Sequence, residues 1–121
     1  MSKKILIVDD EPELVELFSD ILKTAGYDIF KAYDGREAMH VVQENMPDLI
    51  LLDVKMPGVD GFTFLAQLRD DPKLAHIKVI MLSNMQGQEY LDQATALGSD
   101  DYWYKMDTHL VDLVEKVNGL L

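Results

Sequence analysis

Four short apolar runs punctuate the chain: Ile5 to Val8, Leu49 to Leu52, Val79 to Leu82 and the aromatic Tyr102-Trp103-Tyr104, with a weaker alternating run around Ile29 and Phe30. Unbroken apolar runs of about four to eight residues suit strands covered on both faces, as in a parallel sheet between layers of helices, although periodicity alone does not separate them from buried helix. In the stretches between them the apolar residues change to helical spacing. Leu14, Phe18, Ile21, Leu22 and Ala25 mark a first helix, with Gly26 as its stop. Ala38, Val41 and Val42 mark a second that ends near Pro47, and Phe64, Leu65 and Leu68 a third. Tyr90, Leu91, Ala94 and Leu97 mark a fourth ended by Gly98, and Leu110, Leu113, Val114 and Val117 a fifth closed by Gly119.

Strand followed by helix, repeated along the chain, predicts an α/β domain. Right-handed crossovers then leave an open parallel sheet, doubly wound with helices on both faces, as the economical topology. The length of 121 residues suits one domain with a real core. No linker or low-complexity tract interrupts it, and the sequence stops about where the fifth helix completes its layer, so a single domain over 1–121 without an output domain is expected.

Charge narrows the partners. With 22 acidic against 11 basic side chains the net charge is -11. Such a surface repels the phosphate backbone that dominates nucleic-acid affinity, so no direct nucleic-acid binding is expected. There are no cysteines, which removes disulfides, thiolate metal sites and a cysteine nucleophile. The run Ile5 to Val8 is too short for a signal-peptide core or a membrane span, which makes a cytoplasmic protein without membrane insertion the expectation.

In open α/β sheets ligands sit beyond the carboxyl ends of the strands, so the residues after the apolar runs carry the chemistry. The first run is followed by Asp9-Asp10-Glu11-Pro12, the third by Asp53-Val54-Lys55-Met56-Pro57-Gly58, the fourth by Ser83-Asn84 and the fifth by Lys105. Three carboxylates converging there repel one another by about 4 kcal/mol per pair at 4 Å and an effective dielectric of 20, which implies a cation. An all-oxygen cluster favours a hard ion. Magnesium, which takes one or two protein carboxylates and keeps several waters, fits better than calcium, which needs more ligands. Each residue alone has a plainer explanation: Asp10, with Glu13 three positions on and Pro12 between, is a candidate helix cap. Asp53 taken singly reads as a solvated loop carboxylate, Ser83 as a turn hydroxyl and Lys105 as a surface charge. Their joint placement at strand ends outweighs those readings.

These residues resemble the receiver domain of two-component response regulators, notably the stand-alone receivers of the chemotaxis and sporulation type, from Lys4 to about Val117. The resemblance rests on the acidic pair Asp9 and Asp10, the segment Asp53-x-x-Met56-Pro57-x-x-Asp60-Gly61, Ser83, and Gly98-Ser99-Asp100-Asp101-Tyr102 leading to Lys105. It implies a flavodoxin-like (βα)5 sandwich with strand order 2-1-3-4-5. It also implies that Asp53 accepts a phosphoryl group from a histidine kinase or histidine phosphotransfer protein. Asp10, Asp53 and the Lys55 backbone carbonyl would ligate Mg2+, with Asp9 acting through a coordinated water. Lys105 and the Ser83 hydroxyl would hold the phosphoryl oxygens. Ser83 and Tyr102 would act as the switch pair that remodels the face of helix four, strand five and helix five for a downstream effector protein. Such a protein is a phosphoacceptor that assists only its own phosphorylation and dephosphorylation, rather than an enzyme. For Tyr102 the plainer reading is an aromatic of the last strand.

The chain departs from the family pattern in several places. Lys105 is followed by Met106 where most receivers have proline after the lysine, usually with a cis bond. A non-proline cis bond costs about 2.5–4 kcal/mol, so a trans link is expected. Asn84 stands where a small residue is usual. Lys55 and Met85 flank the path of the hydrolytic water in this family, so slow self-dephosphorylation is expected. The segment Gly98 to Tyr102 also resembles the receivers of winged-helix transcription factors, which pair through charges on the same face. Helix five offers only Lys116 as a basic partner, so a monomer or weak dimer is expected.

Two other classes compete. One is a phosphorylation-independent, receiver-like interaction module, in which Asn84 and Met106 have made the switch static. The other is a haloacid-dehalogenase-type phosphatase, which needs an acid two residues after its aspartyl nucleophile, where this chain has Lys55. Flavodoxin-like redox chemistry is excluded, because no phosphate loop follows the first strand and Asp9-Asp10 would repel a cofactor phosphate.

Overall fold

The computed structural model describes residues 2–85, 87–105 and 110–121, the last stretch with side chains from residue 112 onward. Its five strands are β1 (Lys4–Val8), β2 (Asp28–Ala32), β3 (Leu49–Asp53), β4 (Lys78–Ser83) and β5 (Asp101–Tyr104). They alternate with α1 (Pro12–Thr24), α2 (Gly35–Asn45), α3 (Gly61–Asp70), α4 (Gln88–Ala96) and α5 (Leu110–Leu120). All strand pairs are parallel and the order is β2-β1-β3-β4-β5, the topology that the resemblance implied.

The three aliphatic runs become the central strands, which have neighbours on both edges and helices on both faces, while the aromatic run becomes the edge strand β5. In β1, β3 and β4 nearly every residue is buried, whereas the edge strands β2 and β5 are half-exposed, which is why the β2 pattern reads more weakly. Strand residues alternate between two cores. Leu6, Val8, Ile50, Leu52, Val79 and Met81 face α2, α3 and α4 through Ala38, Val42, Phe64, Leu65, Leu68 and Ala94. Ile5, Ile7, Leu49, Leu51, Ile80 and Leu82 face α1 and α5 through Val15, Phe18, Leu22, Leu113 and Val117. Each such fully buried aliphatic contributes about 1.5–3 kcal/mol relative to exposure, and together they fix the register that aligns the strand ends.

The start of α1 removes the plainer alternative for Asp10. Asp10 does not cap α1; the N-cap is Glu11, without a side-chain capping bond, and Pro12 opens the helix. Proline at the first helical position needs no amide partner and presets the helical φ, so the start is defined without a cap, leaving Asp10 outside the helix. The aspartates that do cap are Asp34, which accepts from the Glu37 amide, and Asp60, which accepts from the Thr63 amide. One expectation is corrected at Gly119, expected to close α5 but lying inside it. Leu120 and Leu121 pack against the α1–α5 core and carry the helix past a residue that disfavours it by only about 1 kcal/mol. Met106 and its bond to Lys105, expected trans, lie outside the described residues. Among the described residues no helix is long and apolar enough to cross a membrane.

Arg69, near the end of α3, ties two connections together, α3–β4 and α4–β5. Its guanidinium donates to the carbonyls of Gly98 (2.9 Å), Ala75 (3.1 Å) and Ile77 (2.7 Å) and to Asp100 Oδ2 at 3.2 Å. That same Asp100 oxygen accepts from the Val79 amide at 2.8 Å, so the start of β4 and the approach to β5 are set by one ion pair.

Candidate functional site

The sheet delivers its polar residues to one end. Asp53 is the last residue of β3 and Ser83 the last of β4, each in register with a strand residue beside it: Asp53 with Leu82, Ser83 with Tyr104. Asp9 follows β1 directly, and its amide bonds to the Ala32 carbonyl at 3.2 Å, which extends the β1–β2 ladder by one step. Apolar neighbours on both sides therefore carry three polar side chains into near-complete burial. Asp9 is 1 % exposed, Asp53 5 % and Ser83 1 %, while Asp10 is exposed.

The backbone around Asp53 is held from above. A Cβ on Gly61 would lie 2.0 Å from the Asp53 carbonyl oxygen, so only glycine lets α3 start this close. The Gly61 amide then bonds to the Val54 carbonyl at 2.8 Å, and Asp60 caps the helix beside it. Asp60 and Gly61, which belong to the motif around Asp53, thus close the loop after β3 so that Asp53 faces the cleft.

Opposing charges meet at the strand ends. Lys105, immediately after β5, places its ammonium 2.7 Å from Asp9 Oδ2, 3.4 Å from Asp53 Oδ1 and 3.9 Å from Glu11 Oε2. Burial pulls the Lys105 ammonium down, but hydrogen bonding and attraction from Asp9, followed by Asp53 and Glu11, outweigh it and hold its pKa above the ordinary value. Asp53 is shifted upward from a normal carboxylate. Burial first, and then the Asp9 charge, push it up to about 7 against the opposing pull of Lys105, with Asp10 adding a smaller upward push. One lysine does not offset the charge of the three aspartates.

Asp9, Asp10 and Asp53 each offer a carboxylate oxygen, and these atoms lie within 4.8 Å of one another. Hard oxygen donors at that spacing, with one exposed member, suit a divalent cation such as magnesium that keeps part of its water shell. Asp9 Oδ1 accepts from the Glu11 amide at 3.0 Å, and Oδ2 lies against the Lys105 ammonium.

Beside this cluster opens a cleft of about 210 Å³ lined by Asp10, Glu11, Asp53, Lys55, Ser83, Asn84, Met85 and Lys105. Every candidate site residue named from the sequence lines it except Asp9, which lies beneath, and Tyr102. Tyr102 is half-buried and reaches the loop behind the cleft, donating its hydroxyl to the Met85 carbonyl. Burial raises the Tyr102 pKa, with hydrogen bonding to Ser83 working against the shift. Lys55 and Asn84 are exposed at the cleft mouth and Met85 is half-buried.

The family model described as the response regulator receiver domain matches residues 5–118. This chain belongs to that family. The receiver is 39 % identical over 105 residues to the response regulator PleD of Caulobacter vibrioides, covering 87 % of this chain and 23 % of PleD. It is 38 % identical over 118 residues to the DNA-binding dual master transcriptional regulator RpaA of Synechocystis, covering 98 % of this chain and 48 % of RpaA. This receiver thus spans less than half the length of those curated relatives. Among solved structures it superposes on the chemotaxis protein CheY4 of Vibrio cholerae with a TM-score of 0.92 at 29 % identity, covering all of both chains. The receiver domain of a signal transduction histidine kinase from Syntrophus aciditrophicus gives a TM-score of 0.90 at 34 % identity, over 99 % of this chain and 90 % of that one.

Membership makes this receiver a signalling module of two-component systems, a family whose acidic pocket binds magnesium. Sequence reasoning missed Glu11 as a third carboxylate on Lys105. Its position right after the acidic pair was visible, but its contact depends on where Lys105 points.

Proposed function

We propose that this receiver is a phosphorylation-driven switch that accepts a phosphoryl group on Asp53. The observation that carries the reading is the Asp53 carboxylate, nearly buried at the end of β3, with the Lys105 ammonium 3.4 Å away and carboxylates of Asp9 and Asp10 beside it. A carboxylate so placed is fixed in direction and faces a cleft deep enough for a phosphoryl group.

In the proposed reaction an Asp53 carboxylate oxygen attacks the phosphorus of a phosphohistidine on a histidine kinase or histidine phosphotransfer protein. The new O–P bond forms as the P–N bond breaks, and the imidazole leaves with the electron pair and takes up a proton. Lys105 supplies positive charge to the phosphoryl oxygens, and the Ser83 hydroxyl, at the end of the neighbouring strand, donates a hydrogen bond to one of them. Asp10, Asp53 and the Lys55 backbone carbonyl are the proposed direct ligands of Mg2+, with Asp9 acting through water. When bound there, the ion offsets charge on the transferring oxygens.

Ser83, drawn toward the phosphoryl group, pulls on the loop that also holds Tyr102 through Met85, and so changes the face built from α4, β5 and α5 for an effector protein. The aspartyl phosphate is lost again by attack of water, whose path Lys55, Asn84 and Met85 narrow. The cytoplasm is the proposed location.

Mass spectrometry after treatment with acetyl phosphate and magnesium tests the reading. A magnesium-dependent phosphate adduct, absent from Asp53→Asn, supports it. No adduct in either protein would replace it with a static interaction module.

A further inference from the structure

Lys105 has more carboxylates around it than holding a phosphoryl group requires, and they differ in depth. Asp9 lies sealed beneath the cleft, 1 % exposed, and Asp53 forms its floor. Glu11, with a side chain 55 % exposed, stands at the rim among the lining residues. The ammonium sits lowest on this ladder, at 2.7 Å from Asp9, 3.4 Å from Asp53 and 3.9 Å from Glu11.

That resting place conflicts with a divalent cation. The Asp9, Asp10 and Asp53 oxygens that lie within 4.8 Å of one another include the carboxylates that Lys105 is using. Two positive groups sharing those oxygens repel one another, and the buried surroundings screen the repulsion poorly. Lys105 must give up part of its contact when the cation enters. Among the described residues the remaining carboxylate against its ammonium is Glu11, whose side chain makes no capping bond with α1 and whose backbone is fixed by that helix start. Its carboxylate is therefore free to follow the ammonium while its root stays in place.

We propose that Glu11 is a positioning residue for Lys105: it receives the ammonium when a divalent cation occupies the aspartate cluster and keeps it at the cleft rim, facing Asp53. The inference rests on the phosphoacceptor reading of Asp53 and adds to it a cation exchange, in which entry of the ion moves Lys105 from Asp9 toward Glu11.

The test is a double-mutant cycle read by isothermal titration of MgCl2 into the wild type, Glu11→Gln, Lys105→Met and the double variant, with circular dichroism confirming that each is folded. Glu11→Gln weakens magnesium binding by about 3- to 5-fold when Lys105 is present, the size of a partly exposed ion pair. In the Lys105→Met background the same substitution costs less than about 2-fold, because no ammonium needs a new place. Equal losses in both backgrounds would mean that Glu11 attracts the ion directly, and would overturn the proposal, as would no loss at all. Phosphorylation by acetyl phosphate separates the two readings: a normal wild-type adduct without coupling sinks only the role of Glu11. Coupling without any adduct sinks the phosphoacceptor reading and with it the purpose of the exchange.

Discussion

Tyr102 donates its hydroxyl to the carbonyl oxygen of Met85 at 2.7 Å, and the Met85 amide donates to Ser83 Oγ at 2.9 Å. Two residues on neighbouring strands are thus joined through a single residue of the β4–α4 loop. In the proposed switch, displacement of Ser83 toward Asp53 is expected to move Met85, and Met85 the tyrosine. Tyr102→Phe removes the outer bond and leaves the ring packed. The expected loss is about 1 kcal/mol of unfolding free energy, since the site is only half-buried and water replaces part of the bond. Urea denaturation measures it, and an unchanged midpoint would mean that the hydroxyl does not hold the loop.

The raised pKa of Asp53 makes stability depend on pH in a stated direction. Its carboxyl titrates near 7 in the folded chain against an ordinary value of 3.8, so the folded state binds the proton more tightly than the unfolded one. This contribution is fully present below about pH 4, falls as pH rises toward 7 and is flat above it. At pH 8 without magnesium, Asp53→Asn is therefore more stable than the wild type by about 2 kcal/mol, and the difference shrinks as pH is lowered. Magnesium narrows the gap at pH 8 by binding the folded wild type. Denaturation series at pH 5 and pH 8 check both statements; a wild type more stable than the variant at pH 8 without metal would contradict them.

Much of this site was legible because the strand ends carry it. Asp53, Ser83 and Lys105 each stand at the end of an apolar run, and a buried parallel sheet has no other place to put them. The ends of α1 and α5 were less legible. Capping chemistry at Asp10 competed with Pro12, which opens the helix unaided, and Gly119 competed with the apolar residues after it, whose burial overrode its low propensity. Glu11 and Arg69 were silent for another reason. Their partners are 94 and 29 residues away in sequence for Lys105 and Gly98 respectively, and long flexible side chains carry no periodicity that reveals such a contact.

On the proposed reading, Lys55 is expected to lengthen the lifetime of the aspartyl phosphate. It is exposed and lines the cleft with Asn84, Met85 and Asp53, which puts a long side chain where the proposed hydrolytic water would have to pass. Lys55→Asn shortens the stem while keeping a polar end and the backbone carbonyl. Decay of the phosphorylated protein should accelerate by about 5-fold, equivalent to roughly 1 kcal/mol of barrier. The decay of the intact-mass adduct after removal of the phosphodonor measures it. Unchanged or slower decay in the variant would sink the obstruction argument.

Truncation of Arg69 is expected to be costly although it lies outside the core. Its guanidinium bonds three backbone carbonyls, those of Gly98, Ala75 and Ile77, and pairs with Asp100. Space at Gly98 belongs to the same arrangement, since a Cβ there would lie 3.1 Å from Arg69 Nε at a φ of +90°. Arg69→Met keeps the apolar stem and removes every one of these bonds, leaving part-buried carbonyls to find water. Asp100 retains the Val79 amide, so its own position is only loosened. The expected loss is about 2–3 kcal/mol, whereas Asp100→Asn, which keeps an acceptor for Val79, should cost about 1 kcal/mol. Since Arg69 fixes the carboxyl end of α4 and β5 beyond it, amide exchange along α4 should accelerate from the Gly98 end in Arg69→Met. Acceleration confined to the Gln88 end, or a loss in Arg69→Met no greater than in Asp100→Asn, would show that the helix is held from elsewhere.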